Sequence, residues 1–223
     1  MIDLQNISRV HRSDEVETHA LADISLSVRK GEFVAVMGPS GCGKSSLLNI
    51  LGFLDRPSGG TYRLMCEEAS GLSDAGMTRL RRRHVGFVFQ SFNLIDDLTV
   101  AENVEVSMLY RSGSGSGANR IAEVLDRVGI GHRAGHRPQQ LSGGQQQRAA
   151  IARALAADPA LILADEPTGN LDSANGDAVM DLLKSVARSG TTVVMVTHSH
   201  FHAAAADRTV AMLDGRIVGE TRL

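Results

Sequence analysis

The run Glu32-Phe33-Val34-Ala35-Val36-Met37-Gly38-Pro39-Ser40-Gly41-Cys42-Gly43-Lys44-Ser45-Ser46 passes from a short apolar segment into a glycine-rich loop. Beyond it Leu47, Leu48, Ile50, Leu51 and Leu54 fall at helical spacing, until Pro57-Ser58-Gly59-Gly60 breaks the pattern. Strand, loop and helix in that order, with Gly38 and Gly43-Lys44-Ser45 at phosphate-loop spacing, predict a nucleoside-triphosphate site. Glycines let backbone N–H groups curl around phosphate oxygens, and the helix N-terminus adds a favourable field. Gly38, Ser40, Gly41, Cys42 and Gly43 are the candidate phosphate contacts, with Ser46 in the same cradle. Lys44 can reach the outer phosphates, and the Ser45 hydroxyl can coordinate magnesium.

Three other strand ends fall on the same rim. Leu161-Ile162-Leu163-Ala164 is a buried-strand run that ends in Asp165-Glu166, and in open parallel sheets ligands sit at the carboxyl ends of strands. Asp165 suits the magnesium shell, directly or through water. Glu166 is placed to act as general base or to orient the attacking water. Gln90 ends the apolar strand 85–89 and His198 ends strand 192–197. The neutral amide of Gln90 can touch magnesium or the lytic water; His198 can contact the γ-phosphate and hold that water in line. Either residue alone reads as a structural polar group, and it is their shared position at strand ends that makes both catalytic candidates.

Leu141-Ser142-Gly143-Gly144-Gln145 opens a second helix on glycines. Ser142 reads as its N-cap, and capping could be its whole role in a monomer. Two glycines baring N–H groups at a helix N-terminus also make a γ-phosphate site. Lys44 already supplies one phosphate clamp, so Ser142, Gly143, Gly144 and Gln145 are best explained as serving the nucleotide of another copy. The expected enzyme is an ATPase whose active site is completed by a second chain.

Around these motifs the pattern is α/β. Residues 2–7 and 24–28 alternate as half-exposed antiparallel strands, and 61–66 return to the same small sheet. From Ser91 to Gln140 the pattern turns helical and irregular, with Ile121, Leu125 and Val128 on one stripe and a Ser-Gly connector at 112–117. Helices are expected over 144–157, ended by Asp158-Pro159, and over 176–187. A hairpin of 210–213 and 217–218 turns at Asp214-Gly215. The predicted fold is a phosphate-loop NTPase core with a mixed, mainly parallel sheet, a small antiparallel β subdomain and an inserted α-helical subdomain. One domain is expected over 1–223: the core with its β subdomain at 1–90 and 148–223, and a helical subdomain carrying the second glycine motif at 91–147.

The 223 residues carry a net charge of −2, which gives no reason to expect a nucleic-acid partner. No apolar run reaches membrane-span length and no signal-peptide pattern opens the chain, so a cytoplasmic protein is expected. Cys42 and Cys66 offer neither a disulfide framework nor metal spacing. His198, His200 and His202 lack accompanying Cys or carboxylate spacing and read as scattered histidines rather than a metal cluster. Arg79, Arg81, Arg82 and Arg83 read as a solvated helix end in preference to an anionic-lipid or partner patch.

Taken in order, the phosphate loop, Gln90, Leu141 to Gln145, Asp165-Glu166, Asn170-Leu171-Asp172 and His198 resemble the ATP-binding subunit of an ABC transporter, across essentially the whole chain. Gly52 to Pro57, Val85 to Gln90, Phe92-Asn93-Leu94 and Gln145 to Arg148 resemble the lipoprotein-releasing and macrolide-export subfamily, and more distantly the cell-division ATPase FtsE. The resemblance implies a head-to-tail dimer around two ATP and Mg2+, each ATP between one chain's phosphate loop and the other's Ser142 segment. It implies hydrolysis at Glu166 and a permease docked near Gln90 and the helical insertion, with four spans and a large extracytoplasmic domain. The location implied is the cytoplasmic face of the plasma membrane. His11 stands where an aromatic residue usually stacks on adenine, and Ser199 where aspartate is usual. An export or extraction motor and an FtsE-like regulatory ATPase that transports nothing both fit these residues. A soluble ABC protein acting on nucleic acid fits worse, for want of a second cassette or coiled-coil insertion.

Overall fold

The computed structural model describes residues 1–12, 17–109 and 117–222. Two long antiparallel strands open the chain, β1 (Ile2–Arg12) and β2 (Glu17–Val28), with Ile2 opposite Val28 and His11 opposite Thr18. β3 (Phe33–Met37) leads through the phosphate loop into α1 (Lys44–Leu51). β4 (Gly59–Leu64) then returns to β1, and β5 (Glu67–Glu68) completes a four-stranded sheet of order β2-β1-β4-β5. α2 (Asp74–His84), capped by Ser73, runs into β6 (Val85–Phe89).

The insertion holds α3 (Val100–Val106), α4 (Gly117–Arg127) and two short tight turns, Gly131–Arg133 and Pro138–Gln140. α5 (Gly143–Ala156) leaves the insertion and packs on β6, so a boundary drawn at 147/148 divides one continuous helix. β7 (Leu161–Asp165), α6 (Ser173–Arg188), β8 (Thr192–Val196), the short α7 (His200–Ala203), β9 (Arg208–Leu213) and β10 (Arg216–Arg222) finish the core.

The core sheet has the order β10-β9-β3-β8-β7-β6. β9, β3, β8, β7 and β6 run parallel, and β10 is an antiparallel edge. Its central strands read as unbroken apolar runs because both faces are covered. Alternate side chains divide between two cores: Phe33, Ala35, Ile162, Ala164, Val193 and Met195 face one, Val34, Val36, Leu163, Val194 and Val196 the other. The first core lies under α5 and α6; the second joins α1 to the four-stranded sheet. Val36, Val196, Asp165 and Phe89 are level in register, which puts the segments that follow β3, β8, β7 and β6 on one rim.

Three local expectations shift. α1 stops at Leu51, not at Pro57: Gly52 follows it, packed so closely on the Phe87 ring that a side chain would collide, and Phe53 turns left-handed at φ 56°. Leu54 therefore lies outside the helix and is half exposed. α6 begins at Ser173, because the Asp172 carboxylate accepts from the Asn175 N–H and caps it there. β8 ends at Val196, leaving His198 two residues beyond the strand. The Ser-Gly connector at 112–116 lies outside the described residues.

Candidate nucleotide site

The phosphate loop is held in place from outside itself. The Gly215 N–H donates to the Cys42 carbonyl at 3.0 Å, and the Ala22 N–H donates to the Gly215 carbonyl at 2.8 Å, so loop, hairpin turn and β2 are stapled together. Gly43 sits at φ 100° with its Cα against the Ala20 carbonyl, where any side chain would collide. No side chain caps α1, so the first-turn N–H groups that a helix leaves without intrahelical partners have no side-chain acceptor. Lys44 is buried, and its Nζ donates to the carbonyls of Gly38 and Pro39, each at 2.8 Å. The lysine thus bridges the loop it belongs to, and its third donor faces the Cys42 sulfur. Cys42 turns its thiol inward, 3.9 Å from that Nζ.

Asp165 ends β7 two strands from the loop. Burial first, and then the neighbouring Glu166, push its carboxyl above the ordinary range, while Lys44 pulls the other way. A carboxylate so placed is one whose charge a bound cation would restore. With the Ser45 hydroxyl at the helix start, Asp165 forms a donor set of oxygen atoms that fits magnesium.

Glu166 adopts φ 46°, a left-handed conformation unusual for a side chain of this size. Its N–H donates to the Val196 carbonyl and its own carbonyl accepts from the Gly169 N–H, both at 2.9 Å. Its carboxylate is mostly buried and lies 2.9 Å from Nδ1 of His198, which is 74% exposed. The fold thus joins two of the sequence candidates directly.

Gln90 follows β6 and turns its amide toward the loop after β7. Its Nε2 donates to Asn170 Oδ1 and its carbonyl accepts from Asn170 Nδ2, both at 3.1 Å. Ser142 is the N-cap of α5 in a reciprocal capping box: its Oγ accepts from the Gln145 N–H and its N–H donates to Gln145 Oε1. The nearest neighbours of Gly143 and Gly144 are Leu171, Asn170, Phe92 and Asn175, none in the phosphate loop. Within one chain, the two glycine motifs are not brought together. His11 is exposed on β1, one strand over from the Ala20 that touches Gly43.

Two connections escaped sequence reasoning. Gln147 is fully buried, and its Nε2 donates to the Pro167 carbonyl at 2.7 Å and toward that of Phe89 at 3.4 Å. One side chain of α5 therefore grips the ends of both β6 and β7. Its signal was available: Gln147 falls on the buried stripe of Gly144, Ile151, Ala154 and Leu155, where a polar residue needs a partner. The second, Thr168 Oγ1 against His202 Nδ1 at 2.8 Å, had no local signal.

Comparison with known proteins places these features in a group. The family described as ABC transporter matches residues 21–169, more than half of the chain. The Macrolide export ATP-binding/permease protein MacB 1/2 of Paracoccus denitrificans is 49% identical over 223 residues, which is 100% of this chain and 33% of that protein. An uncharacterized ABC transporter ATP-binding protein of Thermotoga maritima is 47% identical, over 100% of this chain and 95% of that one. Among solved structures, the dimeric post-hydrolysis state of the ATP-binding cassette MJ0796 bound to ADP and Pi superposes with a TM-score of 0.92 at 44% identity, covering 100% of this chain and 99% of that one. The chain spans about a third of the length of the MacB relatives it matches.

Proposed function

The chain belongs to the ABC transporter family, and from that premise we propose that it is a magnesium-dependent ATPase that works as a head-to-tail pair and drives a membrane permease. The observation that carries this reading is the Glu166–His198 pair on the rim beside the phosphate loop, with no phosphate-loop residue among the nearest neighbours of Gly143 and Gly144. The phosphate loop, from Gly38 to Ser46, holds the triphosphate, and His11 lies against the base. Ser45, Gln90 and Asp165 hold magnesium, which when bound neutralises phosphate charge. Glu166 takes the proton of the attacking water while His198 orients its carboxylate and meets the γ-phosphate. Ser142, Gly143, Gly144 and Gln145 of the second copy close the site from the other side, which shuts out bulk solvent and leaves the attacking water beside the γ-phosphate.

The permease sits on the groove between α2, β6 and α5. This cavity of about 410 Å³ is lined by Leu54, Phe87 and Phe89 together with Arg81, Arg82 and Arg153. Its position directly before Gln90 lets a docked segment sense the rim through the Gln90–Asn170 pair. No helix among the described residues is long and apolar enough to cross a membrane. We assign the chain to the cytoplasmic face of the plasma membrane through that partner, a four-span protein with a large extracytoplasmic domain. Its cargo is a lipoprotein, peptide or amphiphilic compound to be exported or extracted.

Replacing Glu166 by glutamine tests the chemistry. ATP binding is expected to persist while turnover falls at least about 1,000-fold and an ATP-bound dimer accumulates on size-exclusion chromatography. Steady-state hydrolysis at the wild-type rate would remove Glu166 from the mechanism. Purifying the same variant with ATP from solubilised native membranes, and identifying what accompanies it, tests the permease.

A further inference from the structure

We propose that His202 is a positioning residue for the hydrolytic carboxylate: His198 and His202, four residues apart, hold the two ends of the loop Glu166-Pro167-Thr168. The inference rests on the reading of Glu166 as the water-activating group. His198 Nδ1 lies 2.9 Å from the Glu166 carboxylate at one end, and His202 Nδ1 lies 2.8 Å from Thr168 Oγ1 at the other. Between them the loop is tight, closed by the Gly169 N–H on the Glu166 carbonyl at 2.9 Å.

Such a loop needs external support. A glutamate at φ 46° is strained and persists only where its surroundings over-determine it. Gln147 supplies one tie, at the Pro167 carbonyl, and Val196 another, at the Glu166 N–H. Thr168 is buried, and among the described residues the side-chain partner of its hydroxyl is His202.

The His202 ring is itself located from three sides. Its edge meets the α6 backbone at Gly176, 3.4 Å from where a Cβ would stand, and its Nε2 lies 3.9 Å from the Asp177 carboxylate. Its own N–H donates to Ser199 Oγ at 3.3 Å, and the Ser199 N–H donates to Thr197 Oγ1 at 3.1 Å. Ser199, the departure noted in the sequence, thus caps the short turn that delivers His202 to Thr168. The neighbouring Phe201 points outward at 72% exposure and His200 is exposed, so of the three histidines only His198 and His202 reach the loop. His198 directly precedes the Ser199 cap and His202 lies on α7, so the segment 198–202 touches both ends of the loop.

The test is steady-state ATP hydrolysis and thermal unfolding of the full chain carrying His202→Leu, His202→Asn, Thr168→Val, or His202→Leu with Thr168→Val, with Glu166→Gln as control. His202→Leu keeps the volume and removes the hydrogen bond. Its kcat is expected to fall about ten-fold, the size of one lost buried hydrogen bond, with KM for ATP within about two-fold of wild type. Asparagine, whose amide can take the place of Nδ1, is expected to recover most of the loss. The double variant should be no worse than the worse single one, as for two ends of one interaction. A His202→Leu kcat within two-fold of wild type overturns the proposal. So does a loss of kcat that tracks the melting temperature and is no better in His202→Asn, since that is packing alone. If Glu166→Gln itself keeps wild-type turnover, the reading beneath the proposal fails and the proposal with it. If Glu166→Gln is inactive and only the histidine variants are normal, the positioning role alone fails.

Discussion

Helices α1 and α5 both begin in glycine-rich segments, yet α1 starts from Gly43 at φ 100° with no side-chain cap, whereas α5 starts from Ser142 at φ −66° inside a complete capping box. The first is an unusual backbone held by contacts to Ala20 and to the hairpin turn at Gly215. The second is an ordinary helix start capped by its own side chains. The difference teaches that the two motifs are finished by different things. The phosphate loop is a preformed cradle whose carbonyls at Gly38 and Pro39 are bridged by Lys44. The Ser142 segment is capped by its own side chains at Ser142 and Gln145, which leaves the N–H groups of Gly143 and Gly144 outside the capping box.

The largest effect is expected where backbone conformation is the device. Gly43→Ala forces a side chain into a left-handed position against the Ala20 carbonyl. It should destabilise the chain by about 2–3 kcal/mol and abolish detectable ATP binding, read by urea unfolding and titration calorimetry. Normal binding by Gly43→Ala would erase the contrast drawn above.

Ser142→Arg comes next and sharpens the contrast from the other side. It should leave ATP affinity of the monomer within about two-fold, yet lower turnover about 100-fold by blocking closure, a loss of the order seen when one anion-binding donor set is removed. In a Glu166→Gln background the ATP-dependent dimer should vanish from size-exclusion profiles. Dimers that survive the arginine mean the site is not shared.

The smallest effect, and one of opposite sign, concerns Asp165. Its folded-state carboxyl is raised above its unfolded value, chiefly by burial. Such a group stabilises the fold fully below the unfolded pKa, and that contribution is lost as pH rises through the raised one. Near neutral pH the ionised carboxylate is therefore a net cost in the nucleotide-free protein. Asp165→Asn should raise the melting temperature there and flatten its dependence on pH through the acid range, while weakening the magnesium dependence of ATP binding. A melting temperature that falls instead would mean that Lys44 outweighs burial.

Much of the site was legible because its chemistry is written in short runs. The loop from Gly38 to Ser45, the strand ending in Asp165-Glu166 and the N-cap at Ser142 each need only neighbours a few residues away. The Gly52 stop of α1 was not legible: the reason for a glycine there is the Phe87 ring, which arrives from β6. Gln147 was half legible, since its place on an apolar stripe could be read but its partners at Phe89 and Pro167 could not. Ser199 read as a departure from aspartate with no role assigned to it, and its place as the cap of α7 comes from the path of the chain after β8.

What the sequence by itself determined is the kind of group at each strand end and the kind of backbone at each helix start. Residue type sets charge, donor count and permitted φ, and those are local properties. The tertiary structure decided which groups meet: His198 with Glu166, Gln90 with Asn170, and His202 with Thr168. Those pairs depend on the register of parallel strands joined by long crossovers, so residues far apart in sequence become neighbours only once both faces of the sheet are packed.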